Sequence, residues 1–188
     1  MVPHENTTMA AEAAEAADHW LDDIWTWYFH DPSNTSWTLE SYKRLCDIST
    51  IEEFWQLNDA HAPLVPNGMF FLMRESVFPC WDDPTNIKGG CASMKVSVSE
   101  VQPLWEMLCK RMLGETLVVK EDDDRVINGI SISPKRSFCI LKIWMSDDRF
   151  GGGEDMRRHL RIPSTYTGDI IYRKNTENIQ NDAIKPKR

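Results

Sequence analysis

A chain of 188 residues with 41% hydrophobic content has the length of one domain and enough apolar material for a real core. Its formal net charge of −8 argues against coating long nucleic acid by phosphate attraction, though not against reading one nucleotide at an end. No apolar run is long enough for a membrane span and no secretory leader is visible. Five cysteines without a C-x-x-C pair argue against a disulfide framework or a zinc site, which leaves the reducing cytosol, or the nucleus, as the expected compartment.

The Ala/Glu-rich segment 1–17 has little to bury and reads as a tail. Residues 18–175 read as the folded domain, and 176–188 as a polar C-terminal tail. From His19 the character changes. Trp25-Thr26-Trp27-Tyr28-Phe29 is an aromatic strand signal, Asp31-Pro32-Ser33-Asn34 is turn chemistry, and Trp37 follows that turn. Thr50-x-x-Glu53 is a capping box that opens a helix carrying Ile51, Phe54 and Trp55 and ending before Pro63. Met69 to Met73 is a buried strand. Pro79-Cys80-Trp81-Asp82-Asp83-Pro84 is a proline-bracketed loop closed by Gly89-Gly90.

Cys91 to Val98 alternates, with Ala92, Met94, Val96 and Val98 on one face. Ser99-x-x-Gln102 predicts the start of a second helix with Leu104, Trp105, Leu108 and Met112 inward and Gly114 at its end. Glu121 to Asp124 is an acidic loop. A strand over Val126 to Ile132, the basic turn Pro134-Lys135-Arg136 and an alternating strand from Phe138 to Trp144 follow. Gly151-Gly152-Gly153 is a flexible break, Met156 to Arg161 a short helix, and Asp169 to Lys174 a last strand. Hairpin-spaced strands with few helices between them predict an α+β fold with a mainly antiparallel sheet.

Eight tryptophans exceed what one small core needs, so some are expected to face a ligand. Trp37 and Trp81 lie in loops, where aromatics are hard to bury. Asp82 and Asp83 follow Trp81 directly. An indole beside a carboxylate suits a flat cationic heterocycle with ring N–H donors: the ring stacks, and the acid accepts a bidentate pair. A 7-methylguanine has both properties. The bland alternative, two tryptophans covering the core edge beside solvated acids, is equally compatible with the spacing.

Taken together, these residues resemble the messenger-RNA cap-binding translation initiation factors of the 4E type over roughly residues 19–174. The carriers are Trp27-Tyr28-Phe29 with Trp37 ten residues on, Thr50-Ile51-Glu52-Glu53-Phe54-Trp55, and Pro79-x-Trp81-Asp82-Asp83-x-x-Asn86-x-x-Gly89-Gly90. Leu104-Trp105, Gly114-Glu115, Gly129 and Ile143-Trp144 follow in order. The resemblance implies a curved, cupped antiparallel sheet with about three helices on its convex face. It implies binding of the 7-methylguanosine cap between Trp37 and Trp81, with Asp82 reading the base edge, Trp144 beside the methyl group, and Trp27 and Trp105 in the core. Phosphate contacts would fall to Lys135, Arg136, Lys142 and Lys174, with Arg173 a further candidate. Trp55 would dock an initiation factor 4G-like scaffold or a 4E-binding protein on the convex face, with His19, Ile51, Glu106 and Lys110 around it. The chain would be a cytoplasmic monomer by itself and would need no cofactor, metal or catalytic group.

This sequence departs from the family's pattern. Asp82 is one methylene shorter than the usual Glu, Cys91 and Ala92 replace an Arg and a Trp, and Ile140 stands where a phosphate-binding Lys is usual. On the second helix, Glu106 and Lys110 replace apolar positions. These changes suit a divergent paralogue that takes an unusual, hypermethylated cap, or an interaction protein or translational repressor with weak or lost cap binding. A nucleotide-processing enzyme using Asp82, Asp83 and the 121–124 acids is a third reading, disfavoured because no zinc-deaminase signature and no phosphate loop is present.

Overall fold

The computed structural model describes residues 18–120, 125–150 and 156–184. Seven strands run in chain order: β1 (Trp20–His30), β2 (Tyr42–Thr50), β3 (Met69–Arg74), β4 (Gly90–Ser97), β5 (Ile127–Pro134), β6 (Phe138–Met145) and β7 (Ile170–Lys174). They form one curved sheet, every neighbouring pair antiparallel, in the order β2-β1-β3-β5-β6-β4-β7. Three helices complete it: α1 (Ile51–His61), α2 (Val101–Leu113) and α3 (Asn175–Ile184).

Strand alternation sends successive side chains to opposite faces, and here the two faces hold different clusters. Trp25, Trp27, Phe70, Leu72, Ala92, Met94, Ile130, Ile132, Leu141 and Ile143 point toward α1 and α2. They meet Phe54 from α1 and Leu104, Trp105, Leu108 and Met112 from α2, all buried. The expectation that Trp27 and Trp105 are core residues holds: both are fully buried, with ring centroids 6.0 Å apart in an edge-on arrangement. The opposite, concave face carries a smaller cluster of Met69, Phe71, Met73, Val77, Cys91 and Trp144, edged by Tyr28, Tyr42 and Trp81.

The capping box at Thr50 is complete. Thr50 Oγ1 accepts from Glu53 N at 3.2 Å, while the Glu53 carboxylate accepts from Ser49 N at 2.7 Å and Thr50 N at 3.1 Å. These backbone donors, Ser49 first, hold the Glu53 carboxyl below its ordinary value of 4.5. Its share of helix stability is therefore complete above that pH and is lost as pH falls through the lower folded value. Thr50→Ala is expected to cost about 1 kcal/mol in a denaturant titration at neutral pH. Glu53→Gln should flatten the acid limb of stability against pH.

Three expectations need correction. Ser99 does not cap α2. The helix starts at Val101 with Glu100 at the cap position and no side-chain cap bond, because Ser97 Oγ donates to Glu100 Oε2 at 2.6 Å and ties that carboxylate to the end of β4. Val98 lies past the end of β4 and is 46% exposed. The predicted tail after Lys174 is helical through residue 184, because Asn175 and Asn178 are anchored inside the protein. The expected acidic loop 121–124 and glycine break 151–153 lie outside the described residues.

Candidate cap-binding face

The concave face is laid out in rows set by strand register. One row runs Tyr28, Phe71, Ser131, Lys142, Ser93 and Ile171 across β1, β3, β5, β6, β4 and β7. Toward the Gly90 end of β4, the next row holds Met73, Gly129, Trp144, Cys91 and Arg173. Trp144 is only 3% exposed, and its Nε1 donates to Ser131 Oγ at 2.8 Å, so its indole is fixed as part of the floor.

Two loops overhang this floor. In the first, Trp37 is 58% exposed and lies flat on the His30 imidazole, with centroids 4.3 Å apart and planes 11° apart. His30 is itself buried, and its Nε2 is bonded to the Ser36 carbonyl at 2.9 Å. One indole face is thus backed by protein, and the side chain still projects into solvent. Tyr42 supports both rings from the side. Burial raises the Tyr42 phenol well above its usual value, so it stays neutral at any physiological pH.

The second loop, residues 78–89, carries Trp81, Asp82 and Asp83 and is held by asparagines. Asn86, fully buried, donates to the carbonyls of Phe78 at 3.0 Å and Cys80 at 2.9 Å. Its Oδ1 accepts from Asn128 Nδ2 at 2.8 Å, and Asn128 also donates to the Thr85 carbonyl at 2.9 Å. Asn175 at the start of α3 donates to the Asn86 carbonyl at 2.8 Å and accepts from the Cys91 thiol at 3.3 Å. Gly89 is required where the loop meets the sheet: a Cβ there would sit 1.8 Å from the Met145 carbonyl oxygen. Asn86→Ala would take its amide donor from the Cys80 carbonyl, at on the order of 1–3 kcal/mol, while the Phe78 carbonyl keeps the Cys80 N–H at 2.8 Å. Hydrogen exchange of the amides in 78–89 is expected to accelerate while that of α2 stays slow.

The two acids of this loop part company. Asp83 is used internally, accepting from Phe78 N at 3.1 Å, Thr85 N at 2.8 Å and the Thr85 hydroxyl at 2.5 Å. Asp82 is exposed and turned toward Cys80. Burial, then the hydrogen bond to Asp82, pushes the Cys80 thiol up to about 12, so the thiol is a proton donor to the carboxylate and not a nucleophile. Trp81 is half-buried, and the Lys142 ammonium lies over its ring, 5.1 Å from the centroid.

The remaining cations are spread widely. Lys135 and Arg136 are exposed in the β5–β6 turn, six or more residues along β6 from Trp144, or about 20 Å at strand rise. Lys174, at the end of β7, is engaged by Asp148 at 2.5 Å, which raises its pKa. Arg173 is exposed in the row of Trp144. Lys95, which the sequence reading passed over, lies 4.3 Å above the Phe138 ring. The aromatic floor of Tyr28, Tyr42, Phe71 and Phe78 was also missed, although the period-two alternation of β1 and β3 carried the signal for Tyr28 and Phe71. Among the described residues, no cluster of His, Cys, Asp and Glu is arranged to hold a metal ion.

On the convex side, Trp55 is half-buried at an edge of the α1–α2 pair, with the Lys110 ammonium 4.6 Å above its ring. Glu106 Oε1 accepts from Gln102 Nε2 at 2.8 Å and from the buried Asn58 Nδ2 at 3.1 Å. One turn before Trp55, Ile51 is 42% exposed, and His19 is bonded to Glu52 through its ring at 2.7 Å and its backbone N–H at 2.9 Å. Ile51, Trp55, Glu106 and Lys110 therefore lie on the helical layer, and His19 is tied to its end.

A one-layer cupped sheet with helices on its back and two loop tryptophans over its front defines the class: a protein of the initiation factor 4E fold. The chain matches the family model for eukaryotic initiation factor 4E over residues 20–187 and belongs to that family. It is similar to isoform 4E of Capsicum annuum, 30% identical over 143 residues, covering 72% of this chain and 68% of that protein. It is also similar to initiation factor 4E of Candida albicans, 31% identical over 142 residues (70% and 66%), and to that of Eremothecium gossypii, 29% over 141 residues (70% and 64%). The matched region thus spans about two thirds of these relatives. Among solved structures, C. elegans eIF4E-3, in complex with the 4E-binding protein Mextli and a cap analog, superimposes with a TM-score of 0.69 at 21% identity, covering 90% of this chain and 98% of that one. Ascaris suum eIF4E-3 with an m2,2,7G cap gives 0.66 at 21% identity (84% and 92%).

Proposed function

We propose that this chain is a binding module for the 7-methylguanosine cap of messenger RNA. Trp37 and Trp81 stack on the methylated base, Asp82 accepts from its edge, and Trp144 lies in the floor beneath. The observation that carries this reading is that one loop indole presents an open face while the other holds a cation against its ring. A positively charged purine satisfies both. Solved relatives carry m7G and m2,2,7G caps, and membership of the family supports the same ligand here. Arg136, Lys135, Arg173 and Lys174 are the phosphate contacts in this reading, with Lys174 released from Asp148. Trp55 with Ile51, His19, Glu106 and Lys110 receives a scaffold or 4E-binding protein. Because two charges border that surface, the partner helix carries matching charges and is not purely apolar. The role is binding without catalysis, in the cytoplasm; no helix among the described residues is long and apolar enough to cross a membrane.

A second reading, a paralogue that has lost the cap, is favoured by Cys91 and Ala92. Both are buried, and neither supplies the cation that the family places there. Intrinsic tryptophan fluorescence titrated with 7-methyl-GTP and with GTP separates the two. Quenching that saturates with the methylated ligand at much lower concentration is the expected result. Equal or absent quenching supports the second reading.

A further inference from the structure

Lys142 rises from the middle of β6, between Ser93 and Ser131 on the concave face. Because it is rooted in the concave face of the sheet, its side chain approaches the Trp81 ring from the cup. Its ammonium, 5.1 Å from that ring, is within the range of a cation–π contact. A stacking base and this ammonium need the same face. The Cys91 thiol in the following row feels the same charge: Lys142 opposes the rise that burial imposes on it.

We propose that Lys142 is an internal competitor for the methylated base, a cation that fills the Trp81 stacking position in the free protein and sets how strongly a ligand must bind to displace it. This rests on the cap-binding reading above. A methylated purine must break the Lys142–indole contact and also tolerate a like charge nearby. Neutral guanine meets only the first cost. Lys142 therefore lowers affinity for both and narrows the preference for the methylated form. The direction is opposite to that of a lysine that grips phosphate, where loss of the side chain weakens binding of both nucleotides alike and reduces the salt dependence.

The test uses the full chain with Lys142→Met, which keeps the aliphatic stem without the charge, and Lys142→Arg, which keeps a cation able to lie on the ring. Dissociation constants for 7-methyl-GTP and GTP are measured for both variants and for the unaltered protein at two salt concentrations. Lys142→Met is expected to bind 7-methyl-GTP about three- to thirtyfold more tightly, with a smaller gain for GTP, while Lys142→Arg shows no gain. Unchanged or weaker binding by Lys142→Met, with the unaltered protein still selecting 7-methyl-GTP, overturns this inference alone. If none of the three proteins distinguishes 7-methyl-GTP from GTP, the cap reading falls and this inference with it.

Discussion

Replacing Trp27 with alanine is expected to destabilise the protein by about 3–5 kcal/mol, the range for removing a large aromatic from a closed core. Trp27 is fully buried at the point where two helices meet the sheet. Its ring touches Phe54 of α1 at a centroid distance of 6.1 Å, Trp105 of α2 at 6.0 Å and Phe70 of β3 at 6.2 Å. Neighbours on separate elements cannot all collapse into the gap, so most of the cavity cost persists. Small domains of this kind have roughly 5–15 kcal/mol in total, so the variant loses a large share of its stability. The denaturant midpoint measures this. Trp27→Phe keeps most of the packing and should recover most of the loss, since the Trp27 Nε1 has no hydrogen-bond partner to strand among the described residues. A midpoint unchanged in the alanine variant would show that the helical layer does not depend on this residue.

Trp37→Ala is expected to weaken binding of 7-methyl-GTP by roughly 5- to 150-fold, equivalent to about 1–3 kcal/mol for one aromatic stack. Trp37 is more than half exposed and sits in a loop, so its removal should change stability by only about 0.5–1.5 kcal/mol, the worth of its stack on His30. That separates a lost ligand contact from a lost fold. Trp37→Phe keeps a ring that can rest on His30 and should retain part of the affinity. Trp81→Ala is predicted to have a comparable effect on binding, but Trp81 packs against the concave cluster and its loss also disturbs the floor. Its thermal midpoint must therefore be read beside its dissociation constant. Affinity unchanged in Trp37→Ala would remove that residue from the site.

Trp37 and Trp81 could be singled out from the chain because each lies among turn-forming residues, where burial is difficult. The strand β1, the capping box of α1 and the apolar stripe of α2 were equally plain, since each is written in local periodicity and capping chemistry. Asp82 and Asp83 looked alike as neighbours, and only the folded loop separated them: Asp83 closes backbone donors within the turn, while Asp82 stays at the surface. The C-terminal helix was missed for a similar reason. Its sequence is polar, and what fixes its start is a set of asparagine hydrogen bonds to residues nearly ninety positions away.

Local pattern by itself determined six of the seven strands and two of the three helices, because those depend on residues within a few positions of each other. The strand β2 (Tyr42–Thr50), whose pattern is mostly polar, was not read, and the core placing of Trp27 and Trp105 came with the family resemblance. Strand order, the asparagine network beneath the Trp81 loop, the stack of Trp37 on His30 and the seating of Lys142 over Trp81 were decided only by tertiary structure. Each joins side chains from distant segments. Their energies come from burial and register, which no short stretch of sequence contains.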